Sequence, residues 1–301
     1  MLGFGIGVTF GTVAILVLGY FRSRRRRAFA IHGWIGLVAL AVAEALLFRR
    51  VEPVTTFFTP VAWTAFILIA DAAVLALTNR SRLHDAPITV ARMAALSIPL
   101  WLIFEGYNLR LHNWTYVGVP LELPLALLGY GWSFATIMPA IFESADLVQA
   151  LLPALPGEPW KISRPAESAW IVCGAACLIL PLVLPKHIAS YTFGLVWIGF
   201  LLLLDPLNRR FGLPSFLGDL FEGFRRRFYG FVGAGWICGW LWEFWNYWAE
   251  GKWHYTFPMF QEIKIFEMPM PGYLGFMPFA LECFVMYVSA AWLVGWLKRV
   301  K

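Results

Sequence analysis

Long apolar runs alternate along the chain with short polar or charged breaks. The runs fall at 2–21, 28–48, 57–77, 91–111, 125–150, 168–185, 190–206, 228–249 and 272–297. Each is close to the roughly 20 residues an α-helix needs to cross about 30 Å of hydrocarbon. The pattern predicts an all-α integral membrane protein with nine transmembrane helices. The stretch 145–166 is broken at Leu152-Pro153, Leu155-Pro156, Gly157 and Pro159 and reads as a connecting loop. Residues 211–227 break at Leu213-Pro214 and Gly218, then alternate Leu220, Phe221 and Phe224 with Asp219, Glu222 and Arg225 to Arg227. That alternation predicts a short helix lying on an anionic leaflet.

The basic residues set the expected orientation. The first run is followed, not preceded, by Arg22 and Arg24 to Arg27, and no small-residue cleavage site appears, so it reads as a retained span and not a signal peptide. With the N-terminus outside and the C-terminus cytoplasmic, the inner segments hold Arg22, Arg24 to Arg27, Arg80, Arg82, Arg92, Lys161, Arg164, Arg209, Arg210, Arg225 to Arg227, Lys298, Arg299 and Lys301. The outer segments hold Arg49, Arg50, Arg110, Lys186, Lys252 and Lys264, the remaining 6 of 24 Lys and Arg. This is the positive-inside bias expected of an odd number of spans, here in a bacterial inner (plasma) membrane.

The polar landmarks recur in one order. Trp63, Phe66 and Asp71 match Trp197, Phe200 and Asp205; Glu105-x-x-Asn108 matches Glu243-x-x-Asn246; Trp114-x-Tyr116 matches Trp253-x-Tyr255. Glu122-x-Pro124 and Glu267-x-Pro269 follow, then Gly129-Tyr130 and Gly272-Tyr273, then Pro139 with Glu143 and Pro278 with Glu282. The chain is accordingly expected to hold an extra span and basic loop at 1–27, a first four-span repeat at 28–152, an inner connecting loop at 153–167 and a second four-span repeat at 168–301. An even number of spans per repeat makes the repeats parallel, which separates them from inverted-repeat transporters.

Composition narrows the chemistry. With 60% hydrophobic and 14% charged residues the chain is no soluble, disordered or collagen-like protein. The net charge of +6 sits in short clusters between spans, so no nucleic-acid partner is expected. Cys173, Cys177, Cys238 and Cys283 form no CxxC pair and read as core residues. The five histidines form no HxxH or HxxxH pair, and no Walker A, GxSxG or Asp-rich diphosphate motif occurs, so neither metal nor cofactor is expected.

Besides Asp146, which lies where the run 125–150 meets the interrupted stretch 145–166, seven acids fall inside the apolar runs: Glu44, Asp71, Glu105, Glu143, Asp205, Glu243 and Glu282. Facing lipid, each would cost several kcal/mol, so each is expected to point inward. Asp71 and Asp205, close to Arg80, Arg82, Arg209 and Arg210, are expected to make ion pairs or helix-end hydrogen bonds. Glu243 and Asn246, three apart on a helix, aim at one point, as do Glu105 and Asn108. Trp236, Trp240, Trp242, Trp245 and Trp248 crowd around Glu243, and a carboxyl desolvated among rings favours its neutral, proton-donating form. Aromatic faces would also stabilise a carbocation made by protonating an alkene.

At the Trp-x-Tyr and Glu-x-Pro elements the sequence resembles the membrane-embedded carotenoid enzymes of the lycopene cyclase domain type, and more distantly the carotenoid hydratase-like family. The similarity covers about 45 residues per half, carried by Glu243, Asn246, Trp253, Tyr255, Glu267 and Pro269 and by the weaker copy Glu105, Asn108, Trp114, Tyr116, Glu122 and Pro124. That family places a tandem acidic pair after its proline, whereas here single Glu residues precede Pro124 and Pro269. The resemblance implies an isoprenoid or carotenoid substrate and a redox-neutral, acid-catalysed cyclisation, isomerisation or hydration.

On this reading Glu243 and Glu282 are the candidate acids and Asn246 orients. Trp242, Trp245, Trp253, Tyr255, Glu267, Tyr273, Glu105 and Asn108 shape the substrate site. The expected partners are a lipid or isoprenoid substrate, bilayer lipids, and a second copy or a larger membrane complex. Two other classes remain open: a proton- or ion-coupled transporter or channel with acids along a pseudo-twofold pathway, and a non-catalytic scaffold. The apolar loop 250–271 is expected to fold back as a lid. Glu105 is expected to pair with Arg110 and serve structure, leaving the chemistry to the second half.

Overall fold

The computed structural model describes residues 1–23 and 26–296. Arg24, Arg25, Lys298, Arg299 and Lys301 of the charge pattern, and the last residue of the 272–297 run, lie outside the described residues. The protein is almost entirely helical, and seven of its helical segments are long and apolar enough to cross a membrane.

The chain opens with α1 (Leu2–Arg22), α2 (Ile31–Phe48) and α3 (Phe58–Thr78). The short α4 (Arg82–Asp85), α5 (Pro87–Leu111), strand β1 (Trp114–Val117) and α6 (Leu123–Leu151) follow. Then come α7 (Arg164–Val183), the short α8 (Lys186–Ala189), α9 (Phe193–Arg210), the short α10 (Phe216–Phe221) and α11 (Arg226–Trp248). The chain ends in β2 (Lys252–Tyr255), β3 (Lys264–Ile265), β4 (Met268–Pro269), a 3₁₀ turn over Met270–Gly275 and α12 (Phe276–Leu293). The seven apolar segments are α1, α2, α3, α5, α6, α7 and the turn with α12. Of the other two long helices, α9 carries Asp205, Arg209 and Arg210 within its 18 residues. α11 begins at Arg226 and Arg227 and carries Glu243.

Local chemistry sets the boundaries. Pro87, Pro124 and Pro165 stand in the first turns of α5, α6 and α7, where a missing N–H costs nothing. Asn79 and His112 close α3 and α5 in the left-handed conformation, φ 63° and 52°. Where α7 crosses α9, a Cβ on Gly174 would lie 2.7 Å from the Gly199 carbonyl oxygen, so only glycine permits the approach.

The acids at the ends of α3 and α9 make the same device twice. Asp71 accepts the Leu83 N–H at 2.8 Å and the Ser81 hydroxyl at 2.7 Å, and Ser81 caps α4. Asp205 accepts the N–H groups of Phe216 and Leu217 at 2.7 and 2.8 Å, and Ser215 caps α10. Of the two expected roles, the helix-end hydrogen bond is the one formed. The nearby arginines go elsewhere: Arg82 to Asp146 at 2.7 Å, Arg209 and Arg210 to Glu167 at 2.9 and 3.3 Å. His32 completes the Asp71 site at 3.0 Å. The helix expected within 211–227 shrinks to the six residues of α10, because Pro214 delays its start and Gly223 turns the chain at φ 79°.

Between α5 and α6 the Ser97 hydroxyl donates to the Phe134 carbonyl and accepts the Met138 N–H at 3.1 Å. It bridges the ladder just before Pro139, which brings no N–H, and α6 runs unbroken for 29 residues. Beside Pro278, the residue that faces the start of α12 from α11 is Gly235, with no hydroxyl to offer, and its missing Cβ admits the Phe276 carbonyl. There the helix begins only at Phe276, after the 3₁₀ turn.

Candidate functional site

Two short strands close one end of the helical core. β1 and β2 pair antiparallel, with Trp114 opposite Tyr255, Thr115 opposite His254 and Tyr116 opposite Trp253. The two Trp-x-Tyr elements thus meet head to tail, and the register is symmetric about the Thr115–His254 pair. Each strand is tied to the helix before it by an asparagine. The Asn108 amide donates to the Trp114 carbonyl at 2.9 Å, while its oxygen accepts the N–H groups of Asn113 and Trp114 at 2.8 and 3.1 Å. Asn246 donates to the Trp253 carbonyl at 2.9 Å and accepts the Trp253 N–H at 3.0 Å. Each strand then presents its tyrosine to the glutamate one turn earlier on the helix: Tyr116 to Glu105 at 2.5 Å, Tyr255 to Glu243 at 2.7 Å. Burial, reinforced by the neighbouring carboxyl, pushes both phenols well above their usual range, so both remain hydrogen-bond donors.

Under the ribbon lies a cavity of about 120 Å³, reaching from Gly251 and Pro120 down to Ile141 and Cys238. Trp63, Trp101, Trp114, Trp242, Trp253 and Phe279 give it an aromatic wall. These rings form a continuous set: Trp101 and Trp242 are 5.7 Å apart, Trp63 and Trp242 5.8 Å, Trp242 and Trp253 5.3 Å. The remaining lining is mainly apolar, with Thr56, Thr59, Tyr130, Ser133 and Thr136 of the first half among it. The Thr59 hydroxyl is buried with no hydrogen-bond partner among the described residues. A volume near 120 Å³ holds about one six-membered carbon ring, since an apolar cavity of ~150 Å³ takes up benzene.

Of the residues singled out from sequence, Trp242, Trp253 and Tyr255 line this cavity. Glu105 and Glu243 stand behind the lining: Glu243 is bonded to Tyr255 there, and Glu105 to Tyr116 and to the indoles of Trp101 and Trp114. Glu243 is fully buried, and its Oε2 finds no partner among the described residues. Trp245 packs edge-on against Trp63 at 5.0 Å and donates to Glu44 at 3.4 Å. Tyr273 stacks on Trp240 at 4.2 Å in a separate cluster and donates to the Ile265 carbonyl at 2.9 Å. Glu267 belongs to the ribbon's outer polar group, 2.9 Å from His254 and 3.5 Å from Lys252. Glu282 accepts the Phe200 N–H at 3.2 Å, and its counterpart Glu143 is buried with neither oxygen partnered among the described residues.

Two expectations change. Arg110 does not pair with Glu105: it reaches the carbonyls of Leu182 and Leu184 at 3.4 and 2.7 Å, where the end of α7 leaves acceptors free. Glu105 is instead satisfied by the indole N–H groups of Trp101 and Trp114 at 2.8 and 3.3 Å, beside Tyr116. The loop 250–271 does fold back, with Trp253, Tyr255 and Phe257 partly covered, but Phe260 stands half exposed. Trp101, Tyr116, Thr59 and Tyr130 are site residues that the sequence reading passed over or gave no place in the cavity. Trp101 had a usable signal, four residues before Glu105 on one helix face.

Among the described residues no group of three or more His, Cys, Asp or Glu could hold a metal ion. No family model, no curated protein and no solved structure matches the chain.

Proposed function

We propose that the protein is an integral membrane enzyme that protonates the end of an isoprenoid or carotenoid-like lipid in the cavity beneath the ribbon. The observation that carries this reading is the Tyr255 hydroxyl, which lines the cavity while bonded to Glu243, whose second oxygen is free to hold a proton. The Tyr255 hydroxyl proton, directed at Glu243 at rest, turns to the CH carbon of the terminal double bond while a proton on the Glu243 carboxyl moves to the tyrosine oxygen, and the resulting tertiary cation on the dimethyl carbon lies against Trp101, Trp242 and Trp253. Water held on the Thr59, Tyr130 and Ser133 hydroxyls adds to the cation and returns a proton to the Tyr255–Glu243 pair. Only the chain end enters a cavity this small; the tail stays in the bilayer.

The same reading takes the chain as nine spans, with α1 outside two parallel repeats made of α2 to α6 and α7 to α12. Support comes from the paired constructions: Asp71 with Ser81 and Asp205 with Ser215, each ten residues apart, the two asparagine tethers, and the ribbon register symmetric about its centre. The ribbon faces outside and the arginine-rich helix ends face the cytoplasm of a bacterial inner membrane. A channel reading is less well served, because this cavity and a second one near the opposite helix ends share no lining residue.

The test is mass spectrometry of lipid extracts from cells with and without the protein, fed polyprenoid precursors. Under this reading a product heavier by one water, or an isomer of its precursor, appears with the wild-type chain and not with Tyr255→Phe. Identical extracts in all three would remove the reading.

A further inference from the structure

The second cavity, of about 430 Å³, lies between the end of α3, the Arg80–Ala86 segment, the end of α6 and the start of α11. Its position at helix ends, on the side opposite the ribbon, is headgroup depth for a chain crossing the bilayer. Three arginines face it: Arg80, Arg82 and Arg226. Two are held in place by the protein. Arg82 is locked onto Asp146 through Nε at 2.7 Å and one terminal nitrogen at 3.1 Å. Arg226 donates from Nε to the Gln149 carbonyl at 2.7 Å and from one terminal nitrogen to Gln149 and Leu152, which leaves its other terminal nitrogen unused. The Arg80 side chain makes no hydrogen bond or ion pair among the described residues and stands exposed.

Two acids share the lining. Asp146 is neutralised by Arg82, and Asp85 is bound by His84 at 2.7 Å, a bond that holds its carboxyl below the usual range. Three arginines against the carboxylates of Asp146 and Asp85 leave one net positive charge on the lining, with Arg80, which acts on Asp85 only through space, and the unused terminal nitrogen of Arg226 as its free donors beside Thr78. Guanidinium groups match phosphate oxygens in geometry and charge, and basic pockets between helices at a membrane surface take phosphorylated headgroups.

We propose that this cavity binds a phosphate monoanion or diester, with Arg80 and Arg226 clamping its oxygens and the Asp85 carboxylate accepting a neighbouring hydroxyl, as in the glycerol of an anionic phospholipid. The headgroup and a free phosphate ester present the same chemistry, and the two are separable.

The purified protein would be unfolded by heat in phosphatidylcholine nanodiscs, in discs containing phosphatidylglycerol, and in phosphatidylcholine discs with glycerol 3-phosphate or inorganic phosphate at matched ionic strength. A midpoint raised by phosphatidylglycerol alone assigns the site to a headgroup, and one raised by the soluble esters assigns it to a free phosphate. Arg80→Gln should weaken the apparent affinity about tenfold, the effect of one charge-assisted hydrogen bond, whereas Arg164→Gln on the same side should not. Arg226→Gln should weaken it further while also loosening the end of α6. If neither additive raises the midpoint above the phosphatidylcholine value, or if Arg80→Gln leaves the rise unchanged, the proposal is wrong.

Discussion

Glu105 and Glu243 occupy the same place in the two halves, each facing a tyrosine from the strand that follows, yet they are satisfied differently. Three donors converge on one oxygen of Glu105: the Trp101 and Trp114 indoles and the Tyr116 hydroxyl. At Glu243 only Tyr255 makes a close hydrogen bond, at 2.7 Å, with the Met268 N–H and the Trp253 indole acting more weakly, and the second oxygen makes no hydrogen bond among the described residues. Much of the difference traces to one position. Trp101 lies four residues before Glu105 and can reach it along the helix; Gly239 lies four before Glu243 and offers nothing, because the Phe276 ring fills its space. The same frame thus puts three close donors on one oxygen of Glu105 and one on Glu243, which leaves Glu243 the less engaged of the two carboxyls.

The comparison breaks most sharply at Glu243. Glu243→Gln keeps the shape and the Tyr255 hydrogen bond but removes the acid, so turnover of an isoprenoid substrate should fall by roughly 10²- to 10⁴-fold with little change in thermal stability. Activity measured in proteoliposomes beside a melting curve checks both halves of that statement. Full activity in Glu243→Gln would place the acid elsewhere.

A smaller effect separates the two tethers. Asn108→Ala loses three hydrogen bonds and Asn246→Ala two, at about 1 kcal/mol net for each, so the first should lower stability by roughly 3 kcal/mol and the second by roughly 2. Equal losses on denaturant titration in detergent would contradict the counting. Ser97→Ala should cost about 1 kcal/mol, since it removes the hydroxyl that bridges the Phe134 carbonyl and Met138 N–H beside Pro139. The natural counterpart of that change is Gly235, so Gly235→Ser tests the converse. Its Cβ would collide with the Phe276 carbonyl, and the variant should be destabilised, not rescued.

Smallest of all is Glu105→Gln. The amide oxygen still accepts from Trp101, Trp114 and Tyr116, and only the charge assistance is lost, so stability should fall by about 1 kcal/mol. Activity should be nearly kept. A loss of turnover comparable to that of Glu243→Gln would show both carboxyls to be chemically engaged and would end the division of labour.

Much of the scaffold could be read before the structure. Proline and glycine breaks mark several span ends because a missing N–H or a positive φ disfavours a continuing helix, although α5, α6, α7 and α9 each carry an internal proline, and the Glu-x-x-Asn and Trp-x-Tyr landmarks lead to the ribbon. The ribbon itself could not be read. Its strands are four residues each, and their pairing joins segments 139 positions apart (253 − 114), so no local periodicity announces it. The partners of Glu105 were misread for a related reason. Sequence proximity suggested Arg110, but a helix ending at Leu111 turns that side chain toward the open carbonyls of α7, while Trp101 lies on the Glu105 face. Trp245 entered by the Trp run beside Glu243, Tyr273 by the repeat and Glu267 by the Glu-x-Pro resemblance, and none of these signals carries distance from the cavity. The role of Ser97 carried no signal, because a lone serine in an apolar run says nothing about the proline it will meet on another helix.

The most direct test of an acid-initiated reaction is turnover in D2O, followed by mass and NMR analysis of the product. Proton delivery from the Tyr255–Glu243 pair places one non-exchangeable deuterium on the former CH carbon of the terminal double bond, and Glu243→Gln yields no labelled product. A product formed at the wild-type rate without deuterium at carbon would contradict the account.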